Sequence, residues 1–129
     1  MTRLLSSSAM LEKVVLAQKL ALFSEHWSPR IVGEVNDFQV KLAKLQGEFV
    51  WHHHEHEDEL FLVIAGRLTI QLRDGEVVLD PGEFLIVPRG VEHRPVADKE
   101  CSVMLFEPAT TLNTGNVQSE RTLEHLERL

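Results

Sequence analysis

The sequence predicts an all-β protein, an antiparallel sandwich or barrel of about eight to ten short strands. Two observations support this class. From residue 31 onward apolar and polar residues alternate with a period of two, most clearly at 68–72. Turn signals recur at short intervals, including Asp-Gly at 74–75 and Asp-Pro-Gly-Glu at 80–83. The 129 residues, 43% of them hydrophobic, suit one domain with its own core.

The N-terminal region, residues 1–30, is predicted to form a helical extension before the barrel. Ser8 is a candidate N-cap for a helix that runs to about residue 23, with apolar residues at helical spacing. Ser28 and Pro29 end this pattern. We expect the helix to pack on the barrel or on a partner subunit.

The barrel itself is predicted over 31–108, and residues 109–129 are predicted to be coil and a charged tail, with a weak helical pattern from 117. The predicted strands are 31–35, 38–44, 49–54, 60–64, 68–72, 76–79, 84–87, 92–96 and 101–106. Apolar residues on both faces of some central strands favour a closed or two-sheet arrangement over an open sheet.

Charge and composition exclude several classes of partner. The net charge is −7 and the isoelectric point is near 5.4, which argues against binding nucleic acid or an anionic membrane. No apolar run is long enough to span a bilayer, and the N-terminus does not resemble a signal peptide. The single cysteine, Cys101, is expected to be a buried strand residue in a reduced, cytoplasmic protein.

Four of the seven histidines lie within residues 51–59, which read Trp-His-His-His-Glu-His-Glu-Asp-Glu. On a strand, His52 and His54 would point to the same face, and Glu59 could return a carboxylate to them after a turn. Imidazole and carboxylate ligands suit Mn, Fe, Co, Ni, Cu or Zn. A solvated, acidic and histidine-rich loop is the alternative interpretation of this segment.

A second informative segment runs from residue 82 to residue 93. Pro88 and Gly90 flank a turn that delivers His93 onto a new strand. Taken alone, His93 would be an ordinary strand histidine and the Pro and Gly would be ordinary turn residues.

Together, the two segments resemble the two motifs of the cupin family. The first motif is matched by His52-x-His54, four residues, Glu59, six residues and Gly66; the second is matched by Gly82, Pro88, Gly90 and His93. The resemblance covers roughly 47–108. Two positions depart from the family pattern: Gly47 is one residue closer to His52 than usual, and Ala97 replaces the closing Asn.

The resemblance implies a double-stranded β-helix, or jelly-roll barrel, that holds one divalent transition metal such as Mn, Fe, Ni or Zn. Its implied metal ligands are His52, His54, Glu59 and His93. Asp58 is a weaker alternative to Glu59, because its spacing to Gly66 does not fit. One or two coordination positions would stay open for a small ligand. Inward-facing residues such as Phe61, Val63, Leu85 and Phe106 are expected to line the cavity.

The predicted function is that of a small metal-binding cupin that binds or transforms a small anionic or sugar-like molecule. If it is an enzyme, the family implies a dioxygenase- or isomerase-like reaction; the alternative is a non-catalytic small-molecule or metal-binding module. No catalytic residue is identified, although Glu48, His53, His56 and Arg94 are candidates for supporting groups. A homodimer is also predicted, because small antiparallel barrels usually have their edges covered.

Overall fold

The computed structural model describes residues 11–129, which form one short helix and seven strands. The elements are α1 (Leu16–Leu20), β1 (Arg30–Val35), β2 (Phe38–Glu48), β3 (Glu59–Ala65), β4 (Leu68–Leu72), β5 (Gly75–Leu79), β6 (Phe84–Val87) and β7 (His93–Pro108). All paired strands are antiparallel. The predicted all-β jelly-roll class is confirmed.

The longest strand, β7, organises the fold because it pairs with three others. Its C-terminal part lies between β2 and β3, and its first residues pair with β4. The strand order is β1-β2-β7-β3-β6, with β4 joining β7 to β5. Residues 98–100, in the middle of β7, are exposed. The two halves of one strand therefore belong to different parts of the barrel wall.

The barrel interior is built from alternate residues of the paired strands. Leu45 pairs with Cys101, and Val103 pairs with both Ala43 and Val63, so these side chains share one face. They form the main core together with Phe61, Leu68, Ile70, Leu79, Val87, Ala97 and Leu105. Cys101 is 1% exposed, and burial raises the pKa of its thiol to about 11. The expectation of a buried, unreactive cysteine agrees with this position.

A second, smaller core covers the outer face of β2. Phe23, Val32 and Leu42 are buried there, and α1 contributes Leu16 and Leu20. The end of the chain also reaches this side: Leu129 N–H donates to the Ile31 carbonyl, and Ile31 N–H donates to the Glu127 carbonyl. The C-terminal segment therefore covers the open edge of β1. The predicted weak helix from residue 117 is wrong, because the segment is extended or turned.

The predicted N-terminal helix is much shorter in the structure. Its first part, residues 8–10, lies outside the described residues, and 11–15 are not helical. Val15, the residue before α1, is extended and provides no side-chain cap. Without a cap or a buried face at 11–15, the apolar spacing alone does not sustain a helix.

Two strand predictions also need correction. Residues 49–54 do not form a strand; within them only His52 pairs, through an isolated bridge to His93. The predicted strands 92–96 and 101–106 are parts of the continuous β7. The exposed residues between them look like a turn in the sequence, although the backbone stays extended.

Within residues 11–129, no helix has both the length and the apolar character required to cross a membrane. The homodimer stays a prediction. The strands β5 and β6 each pair with one neighbour only, and Phe84 and Ile86 of β6 are 60% and 50% exposed.

Candidate metal centre

Four side chains from distant parts of the sequence meet at one point inside the barrel. His52, His54, Glu59 and His93 each offer one ligand atom, and these atoms lie within 4.8 Å of one another. All four residues are buried, and His93 is 0% exposed. The structure thus brings together the residues of both sequence motifs.

His52 and His93 are held in place by the same local contacts. Each N–H donates to the carbonyl of the other residue, at 3.1 and 2.9 Å. Each Nδ1 lies 2.9 Å from the carbonyl of the valine two residues earlier, Val50 or Val91. A carbonyl only accepts hydrogen bonds, so both Nδ1 atoms carry the proton and both Nε2 atoms keep a free lone pair. The backbone therefore selects the tautomer that a metal ligand requires.

The turn of the second motif fixes the position of His54. Gly90 has a φ of +82°, which glycine adopts readily, and its N–H donates to the His54 carbonyl at 2.8 Å. Asp58 lies outside the group of four: its side chain is exposed and accepts hydrogen bonds from Arg89 in the same turn. Asp58 thus joins the two motif segments, while Glu59 provides the inward carboxylate.

Several buried atoms at this point have no hydrogen-bond partner within the part of the chain that the structure describes. Glu59 Oε1 lies 3.4 Å from His54 Nε2 and 3.3 Å from His93 Nε2, but these contacts do not have hydrogen-bond geometry. Leaving such atoms buried and unpaired costs about 1–3 kcal/mol each. A cation at the point where they converge would satisfy all three, and three imidazoles with one carboxylate suit a divalent transition metal. The donor set therefore fits the metal that the family resemblance implies.

The ionisation of the group also favours cation binding. Burial, and then the proximity of His93, lowers the pKa of His52 to about 4. Burial opposes charge on Glu59, but contacts with His54 and His93 outweigh it and hold the pKa of this carboxyl well below its ordinary value. Near neutral pH the site thus presents a neutral His52 imidazole and an anionic carboxylate, which are the forms that bind metal.

A small apolar cavity opens beside this group. Its volume is about 40 Å³. His52 and Glu59 lie in its wall, which is otherwise mostly apolar and includes Ala43, Leu45, Phe61, Val103 and Leu105. Trp27 stacks on Phe49 at 4.8 Å between ring centroids, and both rings also line the cavity.

The predicted lining is partly right. Phe61 lines the cavity, whereas Val63 and Leu85 belong to the core away from it. Phe106 points to the outer face, where it stacks on Phe38 at 5.1 Å. Neighbouring residues of a strand point to opposite faces, so an error of one residue in the register reverses the face of every side chain. At this point of β7, Leu105 points inward and Phe106 points outward.

The four candidate supporting groups do not contact the centre. Glu48 and Arg94 form a surface ion pair at 2.8 Å. His53 lies against the Glu55 carboxylate, and His56 is exposed. These four residues therefore have surface roles, and the contact of His53 with Glu55 keeps its side chain away from His52 and His54.

Two charged residues that the sequence analysis did not identify lie next to the centre. Lys41 Nζ and Glu107 Oε2 form an ion pair at 2.8 Å, and both side chains are 2% exposed. Glu107 lines the cavity with Glu59. Burial, and then the negative charge of Glu59, raises the pKa of Glu107 well above its ordinary value. The spacing in the sequence could have identified both residues. On a strand, Lys41 lies on the same face as Ala43 and Leu45, and Glu107 lies on the same face as Leu105 and Val103.

The segment after β7 also supports the centre. The His53 carbonyl accepts a hydrogen bond from Asn116 N–H at 3.0 Å, and His53 N–H donates to Asn116 Oδ1 at 2.8 Å. Gly115, with a φ of +56°, lies directly against this backbone. A Cβ there would lie 2.2 Å from the His53 carbonyl oxygen and 3.0 Å from His52 Cδ2.

Gly115→Ala is expected to weaken metal binding by at least about tenfold and to cost about 1–3 kcal/mol of stability. The new methyl group must displace the backbone that carries His52 and His53. Metal content and urea unfolding measure the two effects. Gly75→Ala is the matched control, since its added Cβ has no atom of the described residues within 4 Å. Equal metal content in both variants would show that Gly115 does not position the centre.

Comparisons with known proteins agree with this architecture. The model of the cupin domain family (Cupin_2) matches residues 38–107. A cupin-2 domain containing protein from Shewanella frigidimarina has a similar structure, with 48% identity, a TM-score of 0.73, and coverage of 74% of this chain and 93% of that chain.

Two curated relatives come from Bacillus subtilis. The uncharacterized protein YdbB is 47% identical over 64 residues, which are 49% of this chain and 57% of that protein. Quercetin 2,3-dioxygenase is 34% identical in an alignment of 64 residues that covers 44% of this chain and 19% of that enzyme. The match thus spans little more than half of the first relative and about a fifth of the second. The family match, the jelly-roll topology and the buried His/Glu group together show that this chain belongs to the cupin family.

Proposed function

We propose that this cupin binds one divalent transition metal through His52, His54, Glu59 and His93 and uses it to hold a small oxygen-donor ligand. The observation that carries the proposal is the convergence of buried, unpartnered ligand atoms within 4.8 Å beside a cavity. A buried cluster of this kind costs stability unless a cation satisfies it. Buried polar groups that lower stability without a structural role are typical of a functional site.

The cavity wall indicates which ligands fit. Its lining is mainly aliphatic and aromatic, and no lysine or arginine from residues 11–129 lines it. A phosphate group would have no basic partner there, so a sugar phosphate is disfavoured. A small carboxylate or enolate with an apolar body suits both the bound cation and the wall. We therefore favour the anionic ligand over the sugar-like one.

Each residue of the site has a defined role in this proposal. The His52 and His93 backbones exchange hydrogen bonds and fix their Nε2 atoms, while Glu59 supplies negative charge to the centre. Trp27 and Phe49 restrict the cavity and keep water from the ligand. When bound, the metal would act as a Lewis acid or as a binding point for an oxygen atom.

Dioxygen chemistry is the first activity to test. The similarity to quercetin 2,3-dioxygenase covers 44% of this chain and supports a dioxygenase reaction. Dioxygen uptake is measured with catechols and small enolisable acids, and ligand binding is measured by calorimetry. The His52→Ala, His54→Ala double variant is the control.

We expect uptake or binding that requires both histidines. Uptake supports a dioxygenase, and saturable binding without turnover supports a metal-dependent binding module. Identical behaviour of the wild-type protein and the double variant with every compound would overturn the proposal.

A further inference from the structure

The buried pair of Lys41 and Glu107 is costly and lies beside the candidate metal centre. Removing two charges from water is unfavourable, and their mutual attraction offsets this only with good geometry and further hydrogen bonds. Here the pair has one contact, at 2.8 Å between Lys41 Nζ and Glu107 Oε2. A pair of hydrophobic residues at this position of the barrel core would be at least as favourable for stability.

The carboxyl groups of Glu107 and Glu59 are neighbours, but the second oxygen of Glu107 meets no partner among residues 11–129 with hydrogen-bond geometry. Glu107 Oε1 is fully buried and accepts no hydrogen bond from the described residues. The side chain lines the same cavity as Glu59, with apolar Leu105 two residues earlier on the strand. The cavity wall thus has a carboxyl group in addition to the polar residues His52, Glu59 and Asn113, and one oxygen of this group has unused hydrogen-bonding capacity.

Lys41 determines how Glu107 presents this oxygen. The two residues lie on the paired strands β2 and β7, where Lys41 is opposite Leu105 and therefore diagonal to Glu107. Because Lys41 binds Oε2, the rotation of the carboxyl group is restricted. A group that is fixed before the ligand arrives loses little entropy on binding.

We propose that Glu107 forms a hydrogen bond to a hydroxyl group of the ligand, so that the site selects small hydroxylated carboxylates or enols over their methyl analogues. The inference rests on the proposed function, because the cation would hold another oxygen of the same ligand. A hydroxyl group both donates and accepts hydrogen bonds, and it therefore pairs with a carboxyl group in either protonation state. A methyl group of similar size would leave Glu107 unpaired.

The test compares glycolate with propanoate, which differ by a hydroxyl in place of a methyl group. The Kd of each acid is measured by calorimetry with the metal-loaded protein, and metal content is determined for every sample. The Lys41→Met, Glu107→Leu double variant removes both charges together. Lys44→Met is the matched control, since Lys44 lies on the same strand and binds the Phe23 carbonyl.

We expect the preference for glycolate to fall by at least about tenfold in the double variant. Chelation of the metal by the hydroxyl oxygen contributes equally in all variants, so it does not produce this difference. Lys44→Met should keep the preference within about threefold of the wild type. An unchanged preference in a double variant that retains its metal would overturn the role of Glu107. If the wild-type protein itself binds no metal, that result would instead count against the proposed function.

A second measurement does not depend on the folding of any variant. In a crystal structure of the wild-type protein with glycolate, we expect the hydroxyl oxygen within about 3.2 Å of a Glu107 carboxyl oxygen. A bound glycolate whose hydroxyl group makes no contact with Glu107 would contradict the inference.

Discussion

His54→Ala protein is expected to retain less than about a tenth of the metal that the wild-type protein carries. The substitution removes one of three imidazoles and leaves an incomplete donor set. The barrel should remain folded, because His54 lies outside the strands and its contact with Gly90 uses only the backbone carbonyl. Elemental analysis and circular dichroism measure metal and fold. His93→Ala should behave in the same way, since its bridge to His52 is also a backbone contact.

The neighbouring His53 provides the control for this experiment. Its side chain is 24% exposed and lies against Glu55, away from the centre. His53→Ala should therefore keep the wild-type metal content. Metal lost equally from the His53 and His54 variants would indicate a diffuse histidine-rich site and not the defined group of four.

Glu107→Leu is expected to destabilise the protein by about 3–5 kcal/mol, because it leaves the Lys41 ammonium buried without its partner. Lys41 is 2% exposed and makes its one side-chain hydrogen bond within the described residues to Glu107. Urea unfolding at neutral pH measures the effect.

Adding Lys41→Met to this variant should restore most of the lost stability. Replacing both members of a buried ion pair by apolar residues is often neutral or stabilising. If the double variant were as unstable as Glu107→Leu alone, the loss would come from packing and not from the unpaired charge.

The four candidate ligands came from the resemblance to the two cupin motifs, and the structure brings the same four residues together. His52 and His54 are two residues apart, and the turn at Pro88 and Gly90 delivers His93 onto a new strand. Glycine at position 90 is explained by its φ of +82° and by its bond to His54. Local geometry of this kind is encoded in a few adjacent residues.

Features that depend on long-range contacts were less predictable. Residues 49–54 have the composition of a strand, but tertiary contacts give them only one bridging pair, between His52 and His93. Lys41 and Glu107 are 66 residues apart, and their charges suggest solvent exposure until the register of β2 and β7 is known. Gly115 lies in a segment predicted as coil, and its contact with His53 comes from the path of the chain after β7.

The central claim is that four side chains hold one metal ion inside the barrel. Its most direct test is anomalous diffraction from crystals of the purified protein, at the absorption edge of the metal found by elemental analysis. We predict a single strong peak about 2.0–2.2 Å from a nitrogen of each of His52, His54 and His93 and from a Glu59 oxygen. A peak at any other position, or well-ordered crystals without a peak among these four residues, would contradict the account.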